Sequence, residues 1–151
     1  MNREFMMQVA ESLKNATREK YKYDEAKLFS LSAAGQNSLT QTLKQYVIKH
    51  GTSDLENILL GKLDFEGSRL QAVATEKLEE DLKERRILGS EELKDVSVFS
   101  TNFLIKEFRE GFLRSGHTKD LDGICGFLGI DKSMVKMINS PVGKMFGKFF
   151  K

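Results

Sequence analysis

Three side chains carry donor chemistry that could be catalytic or metal-binding: His50, His117 and Cys125. The two histidines fall in phrases that nearly repeat, "HGTSDLENIL" at 50–59 and "GHTKDLDGIC" at 116–125. A metal site needs three or four convergent donors, and Cys125 is the only soft candidate near either histidine. A Cys–His nucleophile needs a base within reach and a third group to orient it. Cys125 follows His117 across a helix start with no such group in view, and it neighbours Ile124 on an apolar face. It reads as a small buried hydrophobe. The carboxylates are scattered over helix faces among basic partners, and no glycine loop has the spacing that cradles phosphate. The expectation is a non-enzyme with no catalytic residue, no metal ligand and no cofactor.

A second pattern could contact nucleic acid. "LDGICGFLGIDKSMVKMINS" (121–140) resembles a helix-turn-helix. Cys125 supplies the small residue of the first helix, Gly129 the turn, and Val135 and Ile138 the apolar positions of the second. That helix would turn Lys132, Ser133, Lys136 and Asn139 outward, a set suited to phosphates and base edges. After Asp131 the chain has lysines but no acidic residue. The matching segment of the first half argues the other way: Asp64 stands where the turn glycine belongs, with Glu66 and Glu76 on the corresponding side.

A third pattern lies in "SPVGKMFGKFFK" (140–151). Val142, Met145, Phe146 and Phe149 form one face, opposite Lys144, Lys148 and Lys151. Such a basic amphipathic helix can dock in a partner groove or lie on an anionic membrane. Gly143 and Gly147 weaken it as a free helix, and closing the core is the favoured role over docking on either a partner or a membrane.

The elements that would position these residues come in two copies. At an offset of 65, Leu31 meets Val96, Leu39 meets Leu104, Leu43 meets Phe108, Val47 meets Phe112 and Gly51 meets Gly116. An extra loop residue at His117 moves the offset to 66 for Asp54 with Asp120 and Ile58 with Ile124, before 65 returns for Leu70 with Val135. Matches fall on apolar and loop positions, as expected of a duplication that kept its packing and lost its surface.

Each copy reads as helices. Leu39, Leu43, Tyr46 and Val47 share one face, as do Leu104, Phe108, Gly111 and Phe112. Both runs stop at glycine. Ser53 with Glu56 is expected to form a capping box, Thr118 to cap the equivalent helix, and Ser90 to cap the second copy. A third helix is expected over 68–86 with Leu70, Val73, Ala74, Leu78 and Leu82 inward, and with Glu79–Lys83 and Asp81–Arg85 pairs outward. Residues 2–20 form a further helix with Phe5, Val9 and Leu13 on one side.

The composition agrees with an all-α protein. The 151 residues include one proline and no tryptophan, with 24 basic against 22 acidic side chains. That near balance points to no particular partner. A single cysteine fits a reducing compartment, and nothing in the chain has the length of a membrane span or the pattern of a signal peptide. The expected location is cytoplasmic. The rhythm of "NSLTQTLKQYVIKHGTSDLENILLGK" is similar to bacterial all-helical families of unknown function, a resemblance that implies a helical fold and no activity. The expected architecture is one helical bundle: an N-terminal helix (1–23), repeat unit 1 (24–87) and repeat unit 2 (88–151). The expected function is protein–protein binding or scaffolding, with a protein partner that can be a second copy. DNA binding through 121–140 is the alternative.

Overall fold

The computed structural model describes residues 1–139, with side chains through Val135. Seven helices account for the architecture, and no strand occurs among the described residues. They are α1 (Arg3–Tyr21), α2 (Glu25–His50), α3 (Ser53–Leu59), α4 (Arg69–Glu84), α5 (Ser90–Ser115), α6 (Leu121–Leu128) and α7 (Lys132–Asn139).

Local chemistry sets most boundaries. Asn2 caps α1 by accepting from the Phe5 N–H at 2.7 Å. Lys22 ends it in the left-handed conformation, and Asp24 restarts the chain by accepting from the Lys27 N–H at 2.8 Å. Across that turn the Glu25 carboxylate meets Lys14 at 3.2 Å and Arg18 at 2.8 Å, clamping α1 to α2. Replacing the cap, Asp24→Ala, is expected to lower stability by about 1 kcal/mol. Urea denaturation read by circular dichroism would measure it.

α2 and α5 are 26 residues each, and both contact α1 and α4. Glu25 and Ser90 are the first residues of these helices. Many aligned apolar pairs are buried together: Leu31 with Val96, Leu39 with Leu104, Leu43 with Phe108, Val47 with Phe112, Ile58 with Ile124 and Leu70 with Val135. α4 lays Leu78 and Leu82 against Leu31, Ala34 and Val96. α1 lays Val9 and Leu13 into a larger cluster with Leu39, Leu104 and Phe108. Gly111 stands on the buried face of α5 because a Cβ there would lie 2.5 Å from Cζ of Phe5. Its absence lets the Phe5 ring reach Phe127, edge to face at 5.6 Å.

Several local expectations need correction. Thr52, not Ser53, precedes α3, and its hydroxyl donates to Glu56 at 2.7 Å. Asp120, not Thr118, caps α6 by accepting from the Gly123 N–H at 2.9 Å, while Thr118 donates to Asp120 at 2.7 Å. A carboxylate held this way outcompetes a hydroxyl for the helix N-terminus. Gly89 occupies the cap position of α5, and Ser90 is already helical. Val73 is 38% exposed, because Leu70, Ala74, Leu78 and Leu82 fill the stripe that faces the core. Asp81 pairs with Lys77 at 3.8 Å instead of Arg85. Finally, no helix among the described residues is long and apolar enough to cross a membrane.

Candidate partner-binding face

The residues with donor chemistry are spread apart by the fold. His50 closes α2 with its ring over Tyr46, centroids 4.7 Å apart. The Tyr46 hydroxyl donates a short hydrogen bond to Asp54, and burial followed by that bond pushes its pKa up to about 12. His117 lies on the α5–α6 loop, packed on Phe127 at 5.6 Å and bonded through Nδ1 to Ser115 Oγ at 2.9 Å. Cys125 is buried at 2% exposure, and that burial raises its thiol pKa, with Asp122 and Asp131 adding to it. Among the described residues, no group of three His, Cys, Asp or Glu side chains converges as a metal-ligand set.

His50 makes stability depend on pH in a defined window. Burial holds its pKa below the ordinary 6.5, with Arg69 and then Lys49 adding to that and Asp54 opposing it. The unfolded chain therefore binds the proton more tightly than the folded one. The contribution is complete above pH 6.5 and is lost as pH falls from there toward the lower folded value. The melting temperature should drop as pH is lowered below 6.5, and His50→Gln should flatten that drop. An equal drop in the variant would refute the assignment. The Glu25, Asp120 and Asp131 carboxyls, all lowered by hydrogen bonds, lose their contributions only below pH 4.5.

The segment 121–140 places a helix, a turn and a second helix in order. Gly129 takes the left-handed conformation at φ +75°, and the Ile130 N–H returns to the Cys125 carbonyl at 2.9 Å. Leu128 and Val135 are buried beside Cys125, and α7 packs on α2. Two of the four outward residues, Lys132 and Ser133, are already engaged by carboxylates. Lys132 Nζ bonds Asp122 at 2.9 Å, which raises its pKa, and Ser133 donates to Asp131 from both backbone and hydroxyl. The side chains of Lys136 and Asn139 lie outside the described residues, as do Lys144, Met145, Phe146, Lys148 and Phe149 in their entirety.

Two of the open clefts on the surface bear on binding. One, of about 620 Å³, runs between the α3–α4 connection and α5, and mixes Asp64 and Glu66 with Lys106 and Arg109. The other, of about 590 Å³, lies between α1 and α2, with Met6, Met7, Ala10, Phe29 and Ala33 along it. Two of its large apolar side chains face solvent: Met7 is 63% exposed and Phe29 67%. Ala10 and Ala33 leave room between them, while Arg3, Glu11 and Lys14 stand along the α1 side.

Sequence reasoning missed this groove, although one signal for it was present. Leu28 and Leu31 both point inward. Phe29, one residue past Leu28 and so rotated by about 100°, must then point out. An aromatic out of phase with a buried stripe is an apolar group with no place in its own core. Comparison of the chain with protein-family models, with curated proteins and with solved structures returned no match.

Proposed function

We propose that the chain is a non-enzymatic helical binding protein that engages a protein partner through the α1–α2 face. The observation that carries this reading is that Met7 and Phe29, both exposed, line one groove together with the small Ala10 and Ala33. Contiguous apolar surface of this kind marks contact sites on soluble domains. Methionine beside an aromatic suits a helical partner that lays an apolar ridge into a groove. The test places a photo-crosslinking residue at position 29 of the full chain and, as a control, at the exposed Lys83 of α4. The reading expects a discrete protein adduct at 29 and none at 83. Equal labelling at both sites would sink it.

DNA binding through 121–140 is the second reading, and the Gly129 turn between α6 and α7 favours it. Under it, affinity for duplex DNA falls steeply with salt, and the change of Lys132 and Lys136 to Glu abolishes it without loss of helix. The Asp122 and Asp131 carboxylates weigh against it, since each already holds a group that would face phosphate.

A further inference from the structure

Resting on the α1–α2 groove as the contact site, we infer that its partner is a second copy of this chain, packed α1 against α1 in antiparallel fashion about a twofold axis near Met7.

The argument lies in what flanks Met7. Residues four apart on a helix form a continuous ridge, and ridges of this class from two helices interlock at the commonest crossing angle. On α1 the ridge through Met7 reads Arg3, Met7, Glu11. All three are exposed and border one surface depression with Glu4 and Gln8. Arg3 and Glu11 therefore stand about 6 Å to either side of Met7 along the helix axis, with opposite charge.

A twofold axis at Met7 reverses the ridge of the second copy. Arg3 of each copy then meets Glu11 of the other, twice per dimer, while Met7 meets Met7 and the Phe29 side chains wall the contact. A parallel arrangement would set Arg3 against Arg3 and Glu11 against Glu11, which is repulsive at both ends. Among the described residues, neither Arg3 nor Glu11 has an ion-pair partner within its own chain. Lys14 is different: it is held by Glu25 and leaves the ridge pair free of a competing cation. The ridge is thus complementary to its own reversed copy, the requirement of an isologous interface.

Charge exchange tests this directly. Sedimentation velocity of the full chain, over a series from about 1 to about 200 µM, should show a monomer–dimer equilibrium. Arg3→Glu and Glu11→Arg should each raise the dimer Kd by about tenfold or more, because each sets like charges together twice. The double variant R3E/E11R recreates both pairs with reversed polarity and should return Kd to within about threefold of the starting value. For Arg3→Glu, loss of association cannot be laid to loss of α1, since an acidic residue in the first turn favours the helix. Far-UV circular dichroism confirms that in each variant.

A double variant no tighter than the singles overturns the twofold arrangement. A chain that stays monomeric across the series, while position 29 cross-links a different polypeptide, overturns the self-association and leaves the groove as a contact site for that polypeptide. No adduct at 29 beyond the control removes the groove reading as well.

Discussion

Gly123→Ala is expected to destabilise the protein by about 3 kcal/mol or more, the upper end of what overpacking costs. For a chain of this size that is a fall of roughly 6–12 °C in melting temperature. A Cβ on Gly123 would overlap the Thr118 carbonyl oxygen and lie 2.6 Å from the Thr118 carbonyl carbon and amide nitrogen. These are backbone atoms, so no rotamer change relieves the clash. Either the loop lifts or the first turn of α6 shifts, and both movements break the bond from the Gly123 N–H to Asp120 and the one from Thr118 to Asp120. Gly126 in the same helix provides the control. A Cβ there would meet only the His117 ring, at 3.4 Å and beyond. Removing a mid-helix glycine then favours the helix, so Gly126→Ala should be neutral or stabilising by up to about 1 kcal/mol. Opposite signs three residues apart, read by thermal and urea denaturation, would establish that the loop rests on α6. A melting temperature for Gly123→Ala within about 2 °C of the parent would show that it does not.

Phe127→Ala should cost about 4 kcal/mol, as large-to-small changes of a buried aromatic do. Phe127 is the ring on which several elements meet. It packs edge to face on Phe5 of α1 at 5.6 Å, on Phe108 and Phe112 of α5 at 5.4 and 5.2 Å, and on His117 of the loop at 5.6 Å. Truncation removes transfer free energy and leaves a cavity that rings from three separate elements cannot collapse to fill. Phe127→Leu keeps most of the volume and loses the aromatic geometry, so it should cost about 1.5 kcal/mol or less. Chemical denaturation gives both values, provided the slope against denaturant is unchanged. Equal losses for the two variants would mean that the edge-to-face arrangement, and not the filled space, holds α6 in place.

What could be read from the sequence divides along physical lines. Periodicity alone places Leu39, Leu43, Tyr46 and Val47 on one face, and all four are buried. The aligned halves anticipate the equal lengths of α2 and α5, and the glycine stops at 51 and 116 fall at their ends. Caps were less legible, because Thr52, Ser53, Thr118 and Asp120 all have side chains able to accept a helix N–H. Which one does so depends on where the preceding loop delivers the backbone. Phe127 was invisible for a related reason. The stretch aligned with it in the first half is the glycine and lysine of "GKLD", so the alignment does not mark it as core, and its importance comes from rings distant in sequence. The groove at Met7 and Phe29 was missed because attention to buried stripes passes over the apolar residue that falls outside them. The binding hypotheses drawn from lysines near 132 also could not foresee that Asp122, a helix earlier, closes on Lys132.

The sealed position of Cys125 supplies the chain with an internal clock. The residue is 2% exposed, and its surroundings disfavour the reactive thiolate. A thiol reagent can modify it only during moments when α6 parts from its neighbours. Because no other cysteine competes, the labelling rate counts those openings without any engineered probe. Under native conditions the rate should level off as reagent is raised, at the frequency with which this corner of the bundle breathes. Gly123→Ala should speed it markedly, whereas exchanging Arg3 and Glu11, which stand on the exposed side of α1, should leave it untouched.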